Sequence, residues 1–275
     1  MSDDPAQRGM VDGDPEFERK SLEYFSRMIA ARPPERPRIE KLLQQLNRLL
    51  GPGRVSNFAV VGCGPKPHTI QVLRELGKPV IGIEPVPSFV TSANEFLGEN
   101  LVHVGAAERI DLPDNSQSVV LFESVLEHVD SPLIAMNELY RVTRPGGVLV
   151  IMTTNRLRFS ITGRNGEYHV PFYNWFPRLL KECYVFDHLH YRPHLADYST
   201  RPAVHWFSFA DLCALGRTAG YAQFYSIVDL VRPEDPGIAR SAFRRTVLKW
   251  VQHKPWLRAL ALRQIGDTIF MYKRK

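Results

Sequence analysis

The sequence lacks the features that mark membrane, secreted and metal-binding proteins. No apolar run approaches the roughly 20 residues of a membrane-spanning helix, and the acidic, polar first residues do not form a secretory signal. The only cysteines, Cys63, Cys183 and Cys213, have a spacing that matches neither a metal site nor a disulfide framework. We therefore expect reduced thiols, no metal site and a cytoplasmic protein.

Net positive charge is confined to the C-terminal part. The net charge is +6, but residues 232–275 hold eleven Lys/Arg and three Asp/Glu, a balance of +8 that leaves −2 for the remainder. This distribution argues against a nucleic-acid partner.

A basic helical segment is predicted over residues 238–265. Its apolar face consists of Phe243, Val247, Trp250 and Val251. The favoured interpretation is an amphipathic helix that packs on the sheet. The alternative is peripheral contact with the inner face of an anionic membrane.

Short apolar segments alternate with helical patterns between about residues 55 and 155. The strand-like segments are 58–61, 79–83, 101–104, 118–122 and 147–154. Strands that are apolar throughout and alternate with helices indicate a parallel sheet covered on both faces. Two further strand-like segments follow, at 222–230 and 267–273. The predicted fold is α/β, with a doubly wound, mostly parallel seven-stranded Rossmann-like sheet.

The rest of the chain divides by composition. Residues 1–14 are predicted to be disordered, 15–53 to form N-terminal helices, and 54–275 to form the main domain. Within that domain, residues 156–205 are rich in aromatic residues and proline. Long segments of this kind are usually functional, so they are predicted to form a lid-like insertion over the site.

The stretch FAVVGCGPKPHT predicts a strand, a glycine turn and a helix. Such a turn lets a ligand approach the backbone at the carboxyl end of a parallel sheet. The third glycine of a dinucleotide-binding turn is replaced by Pro67, which disfavours a nicotinamide-dependent oxidoreductase. A P-loop is excluded because no Gly-Lys-Ser/Thr follows. Glu84 ends the next strand, about 20 residues later, where a carboxylate can accept ribose hydroxyls. The pattern indicates a nucleoside ligand without a phosphate chain.

Four stretches together resemble a known family. They are VVGCGP (60–65), GIEPV (82–86), residues 105–132 and ELYRVTRPGGVLVI (138–151). The series resembles class I S-adenosylmethionine-dependent methyltransferases of the group that contains the quinone-biosynthesis enzymes. The resemblance implies S-adenosyl-L-methionine as cofactor. By position, the implied cofactor-binding residues are Gly62, Cys63, Gly64, Glu84, Ala106, Ala107, Phe122 and Glu123.

The resemblance also implies an acceptor that takes the methyl group. We expect a small-molecule, saccharide or lipid-linked acceptor, methylated at oxygen. His128 and His169 are the candidates for a catalytic base. The residues expected to approach the acceptor are Asn155, Arg156, Tyr168 and Trp175. The alternative is a catalytically degenerate methyltransferase-like binding or regulatory protein, since Val60 and Ala106 stand where the family commonly has acidic residues.

Overall fold

Seven strands form one sheet in the computed structural model, which describes residues 35–158, 176–177, 179–180, 203 and 205–275. They are β1 (Phe58–Val61), β2 (Val80–Glu84), β3 (Val102–Val104), β4 (Gln117–Glu123), β5 (Thr143–Met152), β6 (Gln223–Ser226) and β7 (Thr268–Tyr272). Their order across the sheet is β3-β2-β1-β4-β5-β7-β6. Only β7 runs antiparallel to its neighbours, β5 and β6. The predicted doubly wound, mostly parallel sheet is confirmed.

Helices cover both faces of this sheet. They are α1 (Glu35–Leu50), α2 (His68–Glu75), α3 (Pro87–Leu97), α4 (Pro132–Val142), α5 (Phe209–Ala219), α6 (Ile227–Leu230), α7 (Pro236–Ala239), α8 (Ala242–His253) and α9 (Pro255–Ile265). Ser131 caps α4 by accepting from the backbone N–H of Ile134, and Ser208 and Asp211 form a capping box at α5. Each of these helices therefore begins at a serine, a residue type that favours helix starts.

Two buried clusters hold the layers together. One joins α1 and α2 to one face of the sheet through Leu46, Ile70 and Phe58. The other joins α4 and α5 to the opposite face, with Leu139 and Leu212 fully buried. Because β1 is buried along its whole length and β4 along nearly all of it, their sequences are apolar on both faces.

Some predicted boundaries were wrong. The strand expected over 222–230 stops at Ser226, where α6 begins. Asp229 accepts hydrogen bonds from the backbone N–H and the hydroxyl of Ser226, both at 2.7 Å, and this local capping box starts a helix. Of the expected N-terminal helices, α1 is the one within the described residues. Most of the predicted 156–205 insertion, and all of residues 1–14, lie outside them.

The interpretation that the basic C-terminal helix packs on the sheet was also wrong. Helix α8 has no buried residue: Phe243 is 76% exposed and Trp250 60% exposed. The opposite side of α8 meets the body of the protein, where Gln252 donates to the carbonyls of Val228 and Val231. The apolar stripe therefore faces solvent. Among the described residues, none of the helices is long and apolar enough to cross a membrane.

Candidate cofactor and active site

The candidate site lies along the carboxyl ends of four adjacent parallel strands. Across the sheet, β3, β2, β1 and β4 are consecutive. The residues that end or follow them therefore form a row: Ala106 after β3, Glu84 on β2, Gly62–Gly64 after β1 and Glu123 on β4. At about 4.8 Å between strands, the row is roughly 14 Å long. It includes the β1–β4 switch point, the usual ligand position in such sheets.

The glycine turn after β1 combines a tight fit with open space. Gly62 and Gly64 have φ angles of +72° and +69°, in the left-handed region that favours glycine. A Cβ on Gly62 would lie 2.3 Å from a methyl carbon of Val125, whereas a Cβ on Gly64 would meet no atom within 4 Å. Gly62 is therefore required by packing. Gly64 leaves its backbone accessible to a ligand.

Cys63 contributes to the turn through its backbone. Its Sγ lies 3.1 Å from the position that a Cβ on Gly82 would take, so the side chain packs toward β2. Burial raises the pKa of the Cys63 thiol, and the nearby charge of Glu84 raises it further. The thiol therefore stays protonated and is a poor nucleophile.

Glu84 joins β2 to the glycine turn. Its side chain accepts from the backbone N–H of Gly64 at 2.9 Å and of Val86 at 3.2 Å, and the residue is only 5% exposed. Burial raises the pKa of the Glu84 carboxyl to about 7, although the two backbone hydrogen bonds act in the opposite direction. A carboxylate offers about four lone-pair positions, so two remain for a ligand's hydroxyl groups.

Glu123 has a partner that sequence reasoning missed. Arg38 on α1 donates from Nη1 and Nη2 to the two Glu123 carboxylate oxygens, at 2.7 and 2.9 Å. The same guanidinium lies 3.0 Å from Thr69 Oγ1 and pairs with Glu35. Burial lowers the pKa of Arg38, but its two carboxylate partners outweigh burial and raise it overall. No motif marks Arg38, because its partner lies 85 residues away in sequence.

Three other predicted cofactor residues are largely backbone or core positions. Ala107 is buried, and the carbonyl of Ala106 accepts from the backbone N–H of Arg109 at 3.1 Å. Phe122 is fully buried between β1 and β5 in the sheet. Its side chain therefore belongs to the core, and only its backbone reaches the strand end. A cofactor role for these three residues stays a prediction.

The predicted acceptor residue Asn155 is buried and holds two chain segments together. It is 1% exposed; its Nδ2 donates to the carbonyl of Leu262 at 2.7 Å, and its Oδ1 accepts from the backbone N–H of Leu157. Asn155 thus ties the segment after β5 to α9, and its role in acceptor binding stays a prediction. Arg156 Nε lies 3.2 Å from an oxygen of Asp211, and its role in acceptor binding stays a prediction.

Of the two predicted bases, the structure describes one. His128 is half-buried in the turn after β4, where its backbone N–H donates to the carbonyl of Val125 at 2.8 Å. His169 lies outside the described residues, as do Tyr168 and Trp175. The structure thus brings His128 to the same edge of the sheet as Glu123, and its role as a base stays a prediction.

Beside His128 lies a buried carboxyl group that sequence reasoning also missed. Glu127 is 3% exposed and accepts from the hydroxyl of Thr153, just after β5, at 2.8 Å. Its backbone carbonyl accepts from the N–H of His205 at 3.2 Å. Glu127 thereby connects the ends of β4 and β5 with the segment that leads into α5. A charged residue in the middle of SVLEHV gave no signal of burial.

The row of residues suits a cationic nucleoside. Two carboxylates, Glu84 and Glu123, flank the open turn at Gly64. The hydroxyl oxygen of Ser88, four residues after Glu84, is buried without a hydrogen-bond partner. Across residues 35–158 and 205–275, no group of three or more His, Cys, Asp or Glu could hold a metal ion. The available groups are therefore hydrogen-bond acceptors, an arginine and accessible backbone.

A match to a known protein family covers the strands that form the candidate site. Residues 59–151, which contain β1 to nearly all of β5, match the family model described as a methyltransferase domain. Over these residues, the predicted resemblance to class I S-adenosylmethionine-dependent methyltransferases is confirmed. The domain contains Glu84, Glu123 and the glycine turn, whereas Arg38 lies before it.

By their names, individual relatives differ both in the group that they transfer and in the molecule that receives it. A malonyl-[acyl-carrier protein] O-methyltransferase of Serratia marcescens is 28% identical over 51% of this chain and 58% of its own. A tRNA U34 carboxymethyltransferase of Saccharophagus degradans is 34% identical over 44% of this chain and 38% of its own. The chain spans about half the length of the curated relatives it matches.

Solved structures were also compared. A Haemonchus contortus phosphoethanolamine N-methyltransferase 2, in complex with S-adenosyl-L-methionine, aligns with a TM-score of 0.48 at 16% identity, over 86% of this chain and 53% of that chain.

Proposed function

We propose that the protein is an enzyme that transfers a methyl group from S-adenosylmethionine to a small-molecule, saccharide or lipid-linked acceptor. The observation that carries the proposal is the buried Glu84 carboxylate, hydrogen-bonded to the open glycine turn of a methyltransferase domain. Oxygen is the favoured acceptor atom, and the name of the Serratia marcescens relative supports it.

The residues of the row would each perform a simple task. Glu84 would accept the ribose hydroxyls, and the backbone at Gly64 would contact the part of the cofactor beyond the ribose. The sulfonium methyl group supplies the activation, so the chain's contribution is to orient the acceptor and exclude water. His128 is the group that would take a proton from an acceptor hydroxyl.

The first test is a titration calorimetry experiment with S-adenosylmethionine and S-adenosylhomocysteine. We expect both to bind, and Glu84→Gln to weaken both at pH 8 by about 10- to 100-fold, because hydrogen bonds to a charged acceptor are lost. Glu99→Gln, an exposed glutamate that pairs with Arg74, is the matched control and should bind like the wild type. Unchanged binding by Glu84→Gln would contradict the assignment of Glu84.

Binding should also depend on pH. Burial raises the folded pKa of Glu84 to about 7, above its ordinary 4.5, so Glu84 lowers folding stability as pH rises from about 4.5 to about 7, and this loss levels off above 7. An ionised carboxylate accepts ribose hydroxyls better, so affinity should increase about tenfold between pH 6 and 8. The ligand's amino group also titrates, at about 7.7–8.0, and Glu84→Gln isolates that contribution. An equal pH slope in the variant would rule out Glu84 as the cause.

Turnover requires a separate measurement. The purified protein would be incubated with methyl-labelled S-adenosylmethionine and pools of small hydroxylated, saccharide and lipid-extract acceptors. We expect label to move to one pool. Binding without transfer to any acceptor would instead favour a methyltransferase-like binding or regulatory protein.

Peripheral membrane contact is part of the proposal, because a lipid-linked acceptor would lie at such a surface. The apolar stripe of α8 faces solvent at Phe243, Val247 and Trp250. Residues 236–266 contain seven Lys/Arg and no Asp/Glu. Apolar side chains beside cations suit an anionic bilayer, where each basic residue adds about 1 kcal/mol of attraction.

Vesicle sedimentation tests this contact. The protein should bind vesicles of phosphatidylglycerol and phosphatidylcholine but not pure phosphatidylcholine, and Phe243→Ser with Trp250→Ser should abolish binding. Leu133→Ser with Ile134→Ser removes exposed apolar side chains from α4 and is the matched control. Equal binding by both double variants would contradict the contact, as would a preference for RNA over anionic vesicles.

A further inference from the structure

Helix α1 carries a guanidinium into the edge of the sheet from outside the domain matched at residues 59–151. Arg38 binds both oxygens of Glu123 on β4 and lies 3.0 Å from Thr69 Oγ1 on α2. Three elements distant in sequence therefore meet at this side chain. Since Arg38 is about one-third exposed, it lies at the surface of the edge rather than within the core.

The position of Arg38 in the row identifies the part of a cofactor that it would meet. The proposed function puts the ribose at Glu84 on β2 and the part of the cofactor beyond the ribose at Gly64, after β1. The adenine would then lie on the other side of Glu84, over β3, where the predicted cofactor residues Ala106 and Ala107 follow the strand. Because β1 and β4 are the next strands across the sheet, an extended ligand that starts over β3 has its amino-acid end at β1 and β4. Arg38 and Glu123 lie at that end.

The charges of Arg38 and Glu123 are complementary to the carboxylate and the ammonium group of an amino acid. An α-carboxylate would accept from the guanidinium, for which bidentate pairing with carboxylates is the preferred geometry. The α-ammonium would be free to pair with Glu123. One internal ion pair would thus be exchanged for two ion pairs with the ligand, without leaving either side chain unpaired at the edge.

Arg38 is held on a rigid element, as a binding group should be. The neighbouring residues Ile39 and Leu42 are buried against the sheet. Arg36, two residues before Arg38 on the same helix, pairs with Glu75 on α2. The packing of α1 therefore fixes the base of the Arg38 side chain, and Glu35 as well as Glu123 pairs with the guanidinium.

We propose that Arg38 binds the α-carboxylate of S-adenosylmethionine and that α1 thereby completes the cofactor site. This assignment rests on the proposed function, because it requires the cofactor to lie along the row from Ala106 to Glu123.

The test compares S-adenosylmethionine with decarboxylated S-adenosylmethionine, which lacks only the carboxylate, by titration calorimetry. The wild type should bind the complete cofactor about 10- to 100-fold more tightly. Arg38→Gln should lose this preference by weakening binding of the complete cofactor alone, and Arg38→Lys should restore part of it. Arg36→Gln, an exposed arginine on the same helix, should keep the full preference.

Each other outcome is decisive. If Arg38→Gln weakens both ligands equally, Arg38 is a structural residue and the assignment is overturned. The same holds if the wild type does not distinguish the two ligands. If the wild type binds neither ligand, the proposed function fails, and the assignment fails with it. Circular dichroism and thermal unfolding of each variant would separate loss of binding from loss of fold.

Discussion

Helices α1 and α8 have the same kind of sequence but opposite positions in the molecule. Both are basic and have apolar residues at helical spacing. Helix α1 buries Ile39, Leu42 and Leu46 against the sheet, whereas α8 exposes Phe243 and Trp250. The difference shows that periodicity identifies an apolar face and does not say what covers it. One helix reaches the candidate site through Arg38, and the other presents an apolar surface to solvent.

Polar contacts explain part of this difference. At its C-terminal end, α1 is anchored by Arg48, which pairs with Asp235 and donates to the carbonyl of Leu230. Near its N-terminal end, Arg38 holds it to β4. Helix α8 meets the body through Gln252, on the side opposite its apolar stripe. The register of these polar residues therefore decides which face of each helix turns inward.

The largest contrast should come from truncation of the buried face of α1. Leu46 is fully buried, so Leu46→Ala should lower the free energy of unfolding by about 3 kcal/mol through lost apolar contact and a cavity. Urea denaturation followed by circular dichroism measures this loss. A loss below about 1 kcal/mol would mean that α1 packs loosely and that the comparison with α8 is invalid.

A smaller effect is expected from the anchor of α1. Arg48→Gln should cost about 1–2 kcal/mol, because it leaves the mostly buried Asp235 without its cationic partner. The Arg48 hydrogen bond lowers the pKa of Asp235 below its ordinary 3.8. The pair therefore stabilises the wild type above that value, and this stability is lost as pH falls through the lower folded pKa. Arg244→Gln on α8 is the control; equal destabilisation by the two variants would refute the anchor.

The smallest effect should come from α8. Trp250→Ala should change the free energy of unfolding by no more than about 0.5 kcal/mol, since the ring is 60% exposed. The same denaturation experiment checks this expectation. A loss as large as that of Leu46→Ala would show that Trp250 packs against the protein in solution, and the vesicle experiment would then lose its basis.

Local patterns were enough to predict the sheet, the glycine turn and the position of Glu84. Each depends on a strand and the few residues that follow it, so spacing along the chain reports spacing in the fold. Arg38 was not predicted, because its pairing with Glu123 depends on how α1 docks on the sheet. Asn155 was assigned to the acceptor because sequence shows that it follows a strand. Sequence does not show that its amide meets α9.

The placement of β7 has a consequence for synthesis. This strand lies between β5 and β6, so β6 has no neighbour in the described sheet until β7 has been made. On the ribosome, β6 and helices α6 to α9 emerge first, and the half of the sheet nearest the N terminus can assemble before them. The last strand of the sheet in chain order must therefore pair with β5 on one side and with β6 on the other. Until it does, the nascent chain carries an open sheet edge on β5, and open sheet edges promote aggregation.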